Sequence, residues 1–448
     1  MTVGALSGLD TIPASMVTSI DDLPPELIAQ IFDEAVMPEQ WDSKYTLRDL
    51  SIVCRRWRDV AYDTPGLWRY ISINLDFIVD AASEARCRAY LDTFVPRAKG
   101  RVSLDVFTSF ECNTYRTSIW LELRRLVGSV CWSFRLEAQE DAPQITACLD
   151  QLQVAPQLEL LCLDYRLESP AEFSQWTLPR APKLRELVWK TSYTMFRWPS
   201  NIETFPSLRS ICVWAQMCDE LDDEVQVVEI FSRCPHLVTL DLDLDGDLRP
   251  ASPIRLEAGS IRTLSLCGGP SVSLMSTLRL PNLENAEISN IASSDLPTLF
   301  GGPLAMVTNL VVRYGVASYG ALARSLVHCI RLQHLRLDPS DNEKLAEFLE
   351  VMSKPLSSTG AWICPGIISL TIENFKVLEK EDPLLRDIVT FARARTDPSH
   401  DDPGLVQRLE RLVIIPPKYL RSNYSFRDRE YRLLNSMLEG LGLSTAST

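Results

Sequence analysis

Histidine is scarce in this chain, four among 448 residues, and neither H-E-x-x-H nor the nucleophile elbow G-x-S-x-G occurs. Two widespread hydrolase signatures are therefore missing. The twelve cysteines run from Cys54 to Cys364 without one C-x-x-C pair, which removes the usual spacing of a zinc site or a redox dithiol. Several lie inside apolar runs, as Cys162 does in LELLCLDY, where a thiol packs as a small hydrophobe. We read them as buried and reduced, and expect no metal and no cofactor. The Gly-Gly-Pro turns at Gly268 and Gly301 lack the lysine of a phosphate loop.

Long apolar runs are also missing. No stretch of about 18 apolar residues occurs, so neither a membrane span nor a membrane partner is expected. The first twenty residues have no basic n-region and no unbroken apolar core, and we read residues 1–19 as a flexible leader rather than a signal peptide. The expected location is intracellular, in the cytoplasm, the nucleus or both. Positive charge is in deficit, 45 Lys plus Arg against 59 Asp plus Glu, for a net charge of −14. A polyanion is repelled at long range, so no nucleic-acid partner is expected. Apolar residues are plentiful, 46% of the chain, enough for one large repeat domain with a small satellite or for two to three ordinary domains.

The satellite is the segment from Ile20 to Leu75. Pro24 and Pro25 open it where a first helical turn tolerates proline. Leu27, Ile28, Ile31, Phe32 and Ala35 then recur as one apolar stripe on a helix that ends before Pro38. Met37 to Thr46 reads as a long connection, followed by a helix from Leu47 to about Val53. Its continuation, CRRWRDVAYD, puts Val53, Trp57, Val60 and Ala61 on one face. Three short helices cannot bury this much Leu, Ile, Phe and Trp by themselves, so either the following domain or a partner protein is expected to cover the surplus.

In order, Leu23, Pro24, Glu26, Leu27, Ile31, Phe32, Val53, Cys54, Arg55, Trp57, Leu67 and Trp68 resemble the F-box pattern. The resemblance implies that the helices dock a Skp-type adaptor, which binds a cullin. It further implies that Leu23, Pro24, Ile31, Phe32, Leu50, Val53, Cys54 and Trp57 make that contact.

Beyond Leu75 a phrase recurs, Pro-x-Leu-x-x-Leu-x-Leu. Clear copies start at Pro156, Pro182, Pro206 and Pro235; weaker ones carry Ile261/Leu264/Leu266, Leu283/Ala286/Ile288, Val307/Leu310/Val312, Leu332/Leu335/Leu337, Ile367/Leu370/Ile372 and Leu409/Leu412/Ile414. The Leu-x-Leu alternation predicts a short strand with one buried face in each copy. Helix-compatible stretches such as YGALARSLVHC and NEKLAEFLEVMSKP lie between copies. Ile71/Ile73/Leu75, Val102/Leu104/Val106 and Trp132/Phe134/Leu136 are earlier echoes.

This organisation resembles the leucine-rich-repeat family, without the asparagine that family places after each strand: Arg166, Gln216, Gly269, Ile291 and Gly315 stand there. The fold class expected is α/β, an N-terminal three-helix F-box at 20–70 followed by a degenerate leucine-rich-repeat horseshoe at 71–424. Its parallel sheet would line the concave face with helices outside. Leu433, Leu434, Met437, Leu438 and Leu441 are helically spaced, as a C-terminal cap within 425–448 requires.

Asp241, Asp243, Asp245 and Gly246 match the opening of a calcium loop, but position nine is Arg249 and position twelve is Ser252, so calcium is discounted. What the resemblances imply is a non-enzymatic substrate receptor of an SCF-type cullin-RING E3 ubiquitin ligase, holding an unknown protein target. The alternative is a repeat scaffold acting outside ubiquitination. Target contacts are expected from positions alternating with the buried ones, with Lys190, Trp214, Asp241, Asp243, Arg313 and Arg336 as an aromatic anchor and flanking charges.

Overall fold

The computed structural model describes residues 23–36, 43–109, 114–138, 152–165, 176–191, 196–200, 204–216, 229–245, 256–268, 278–339, 342–355, 362–374, 383–396, 409–415, 434 and 436–443. The chain divides into two compact units, 1–108 with 112–134, and 109–111 with 135–448.

The first unit opens with α1 (Pro25–Val36), α2 (Ser43–Val53) and α3 (Arg55–Asp63), closed by a single 3-10 turn, Pro65–Trp68. Helix α2 begins four residues earlier than Leu47, so part of the expected connection is helical. The face expected to run from Val53 to Ala61 is broken at Cys54, whose extended backbone (φ −155°) ends α2 and caps α3. Each helix therefore sets its own phase: Val60 and Ala61 are buried, whereas Val53 is exposed.

After the turn come β1 (Tyr70–Asn74), α4 (Ala81–Arg97), β2 (Val102–Thr108), α5 (Thr114–Val127) and β3 (Cys131–Ala138), which carries the chain into the second unit. All three early echoes lie on strands or at a strand end, and β1 and β2 pair in parallel with Ile71 opposite Leu104 and Ile73 opposite Val106. Asp80 caps α4 reciprocally with Ser83: its carboxylate accepts the Ser83 N–H at 2.7 Å, and its own N–H donates to the Ser83 hydroxyl at 3.1 Å.

The second unit is built on the repeated phrase. Its strands are β4 (Leu160–Tyr165), β5 (Glu186–Thr191), β6 (Ser210–Gln216), β7 (Thr239–Asp245), β8 (Leu256–Glu257), β9 (Thr263–Cys267), β10 (Leu278–Arg279), β11 (Asn285–Ser289), β12 (Asn309–Val312), β13 (His334–Leu337), β14 (Ser369–Ile372) and β15 (Arg411–Ile414). All but β8 and β10 form one parallel sheet in chain order. The register keeps the repeat aligned: Leu161, Leu187, Ile211, Leu240, Leu264, Ala286, Leu310, Leu335, Leu370 and Leu412 oppose one another across it, all buried. At about 25 cal/mol per Å², such a ladder of aliphatic side chains is the main stabilising term of the unit.

The proline of the phrase has a local cause. In the turns Ala155–Leu158, Ala181–Leu184, Phe205–Leu208, Cys234–Leu237 and Leu280–Leu283, the leucine N–H donates to the carbonyl three residues earlier at 3.0–3.2 Å. Proline occupies the second position of each, where its fixed φ presets the turn. One residue beyond each turn, the carbonyl of Glu159 accepts two successive N–H groups of the next repeat, Arg185 and Glu186. Arg185, Arg209, Val238, Arg262, Glu284, Thr308, Gln333 and Ile368 do the same for the repeats that follow.

The outer side differs from the expected uniform helical layer. Helices α6 (Leu296–Gly301), α7 (Tyr319–Ser325), α8 (Asn342–Met352) and α9 (Pro383–Thr396) serve the later repeats. The described segments leading into β4, β5 and β6 instead carry parallel bridges, Val154 to Arg180 and Thr177 to Arg197, and β8 pairs with β10. Aromatic rings fill the space behind the early strands, Trp176 stacked on Trp189 at 5.4 Å and Phe196 edge-on to Trp189 and to Trp198. The sheet is not curled as a horseshoe requires. A stack bends when helices needing about 8–10 Å back strands about 4.8 Å apart, and here extended segments at strand spacing replace some of those helices.

Later strands leave through left-handed residues, Gly268, Asn290 and Asn374, with Gly315 near the end of β12. At Gly315 (φ +83°) an added Cβ would lie 2.8 Å from the Asn290 Cα. Gly315→Ala is expected to lower stability by about 1–3 kcal/mol, read as a lower thermal midpoint; an unchanged midpoint would count against the tight approach. Residues 436–440 are helical, with Leu434 and Leu438 buried and Met437 exposed; Leu433 lies outside the described residues.

Candidate functional site

Two surfaces collect the residues singled out by sequence. The first lies on the three N-terminal helices. Phe32 has no exposed surface and meets the Trp57 ring edge-on at 5.0 Å, while Ile28, Leu47 and Leu67 are equally buried. The Cys54 sulfur accepts the Trp57 N–H at 3.4 Å as the α3 cap. The Trp68 indole donates to the Ala61 carbonyl at 2.6 Å, and the Arg56 guanidinium donates to the Leu23 carbonyl. These bonds hold the ends of the three helices together.

What the core leaves outside is apolar. Leu27, Ile31, Ile52 and Val53 are 44% to 64% exposed. The expected single stripe on α1 is thus split: Ile28 and Phe32 face inward, Leu27 and Ile31 lie one turn apart on the exposed side, and Ala35 is exposed. Consecutive helical residues point about 100° apart, so a narrow core takes one line of a wide stripe and leaves the other. Of the remaining named residues, Pro24 is exposed, whereas Leu23, Leu50, Cys54 and Trp57 are half-buried. Leu27 and Ile52 are exposed apolar positions that the adaptor-contact set omits. Their signal in the sequence was the surplus itself, more apolar residues than three short helices can cover.

The second surface is the sheet face of the second unit, where the register sets two rows. One reads Cys162, Val188, Cys212, Asp241, Ser265, Glu287, Val311 and Arg336 from β4 to β13. The other reads Asp164, Lys190, Trp214, Asp243, Cys267 and Ser289. Lys190, Trp214 and Asp243 are direct cross-strand neighbours, and Asp241 lies diagonally from Trp214. The aspartates of the calcium-like motif stand on a strand, and residues 246–255 lie outside the described residues.

Arg313 and Arg336 are several strands away and already matched. The Arg313 guanidinium donates twice to Glu287, once at 3.3 Å, and this bonding holds its pKa above the usual arginine value. Arg336 donates to Glu373 at 2.6 Å. Each pair is diagonal, the glutamate or arginine sitting two residues beyond the direct partner. Glu373 is the member that alternation did not single out.

The Cys212 thiol donates to the Asp241 carboxylate at 3.3 Å. Burial, and then the neighbouring Asp241 charge, push this thiol up to about 12. Burial also raises Cys267, which is hydrogen-bonded to Asp243. Neutral thiols thus flank Asp241 and Asp243 of β7. Among the described residues no group of three or more His, Cys, Asp and Glu is arranged to hold a metal ion, and no helix is long and apolar enough to cross a membrane.

Comparison with known families matches residues 20–74 to the F-box-like model. That segment contains α1 to α3 and runs to the end of β1. A search of curated proteins finds no match to the chain.

Proposed function

We propose that the F-box-like segment makes this chain the substrate-receptor subunit of an SCF-type cullin-RING ubiquitin ligase. F-box domains bind Skp-type adaptors, which link to a cullin. The observation that carries the reading is the set of exposed apolar side chains, Leu27, Ile31, Ile52 and Val53, standing on the helices of that matched segment. The fully buried core of a protein interface is more apolar than the surrounding surface and depleted of charge. Leu23, Pro24, Leu50, Cys54 and Trp57 border the exposed set, and Phe32 supports it from within.

The leucine-rich-repeat-like second unit holds the target on its exposed sheet face, working in the cytoplasm, the nucleus or both. The chain makes or breaks no bond. It raises the effective concentration of the target beside a ubiquitin-charged enzyme, turning a bimolecular encounter into an intramolecular one. Co-expression of the full chain with a Skp-type adaptor and a cullin is expected to yield a complex that co-elutes in size exclusion. Separate elution of the chain from both would overturn the reading.

A further inference from the structure

We propose that the sheet face from β5 to β9 takes a basic segment of the target, with an arginine or lysine side chain laid on Trp214 and its charge set against Asp241 and Asp243 of β7. This deepens the receptor reading and rests on it. Three observations point there.

The first is the anchor. Trp214 is 37% exposed while its strand neighbours Val213 and Ala215 are buried, so the sheet presents an indole outward at the centre of a row. The second is the state of the acid. Asp241 is held by the neutral Cys212 thiol, and among the described residues no cation forms an ion pair with it. A neutral donor fixes the carboxylate without cancelling its charge. Asp243, in register with Trp214 and bonded to Cys267, stands on the same strand.

The third is where the positive charges of the face are spent. Arg313 is committed to Glu287 and Arg336 to Glu373. Lys190 lies across Trp214 from Asp243, so the ring separates one basic position from an edge with two acidic ones. Strands about 4.8 Å apart put the ring and both carboxylates within the span of one guanidinium, and a cation within about 6 Å of an indole centroid is attracted to its face. The net charge of −14 adds long-range attraction for a basic partner.

The test uses the full chain and two fluorescein-labelled peptides of equal length, one with three arginines spaced by Gly-Ser and one with three glutamates in their place. In fluorescence anisotropy the arginine peptide is expected to bind at least about tenfold tighter than the glutamate peptide. Asp241→Asn with Asp243→Asn, which keeps an oxygen for each thiol, should remove about tenfold of that affinity. Trp214→Ala should weaken it, with Trp214→Phe restoring most of the loss. Ser265→Lys, which sets a cation beside Asp241 without touching the buried face, should act like the asparagine pair even if that pair folds poorly. Glu343→Gln on α8 is the control and should change nothing.

Equal binding of the two peptides, no binding of the arginine peptide, or an affinity unmoved by both the asparagine pair and Ser265→Lys would each overturn the proposal. Adaptor capture is measured on the same samples. If it persists while peptide recognition fails, the basic-segment proposal falls alone; if it also fails in the unmutated chain, the receptor reading falls with it.

Discussion

Ile31→Asp combined with Val53→Asp is expected to weaken capture by a Skp-type adaptor at least about 100-fold, with little change in the melting temperature of the chain. Both side chains are exposed, so the folded chain loses little burial when they become carboxylates. In a complex, each carboxylate would be desolvated against an apolar partner surface, and an uncompensated buried charge costs about 3–5 kcal/mol. Phe32→Asp is the poorer choice. Phe32 is fully buried against Trp57, and a charge there unfolds the three helices, so lost binding would say nothing about docking. Pull-down and melting measured together settle the matter: a double variant that melts normally and binds as before sinks the docking assignment.

The second large effect is expected far from that surface, at Arg395 near the end of α9. This arginine is buried, and its guanidinium donates to the carbonyls of Met352 at 3.1 and 3.2 Å, Ile363 at 2.6 Å and Cys364 at 3.4 Å. The Trp362 ring lies 4.8 Å from it. Burial lowers its pKa to about 10, so it is charged at neutral pH, and the carbonyl dipoles take the place of water. Arg395→Met fills a similar volume but leaves those carbonyls without their donor. The expected cost is about 3–5 kcal/mol, read as a lower midpoint in denaturant. Faster amide exchange should follow in α8, α9 and β14, with the early repeats unaffected. A loss below about 1 kcal/mol would mean that the carbonyls find other donors.

The sheet of the second unit was legible residue by residue. Leu158, Leu161 and Leu163 recur in kind at each copy, and every copy owns a strand in the same register. The signal is strong because three buried positions and a turn must agree each time. What alternation alone could not supply was the pairing of exposed charges. Arg313 and Glu287 meet on a diagonal that depends on register, and Lys190 and Arg313 are both basic outward positions in sequence although, of the two, only Arg313 forms an ion pair among the described residues. On α1 the apolar pattern was visible but not its division, because Leu27 and Ile28 are equally apolar and only packing decides which turns inward. The outer layer was misread where tryptophan and phenylalanine fill space that a helix fills elsewhere. Outside the β5 copy, residues 176–205 contain no helix-period apolar pattern, only single aromatics whose neighbours are set by the fold.

The carbonyl that receives two N–H groups at the mouth of each strand bears on how such a chain can change over time. Register between neighbours is decided within a few residues, by the turn, the doubled bond and three inward side chains. The excursion between one strand and the next turn adds little to it beyond single bridges such as Val154 to Arg180. Its length can therefore drift, as it does between the short interval from Ile261 to Leu283 and the long one from Ile367 to Leu409, without shifting any strand against its neighbour. Insertions are accommodated at the rim, and the order of side chains across the sheet face stays as it was.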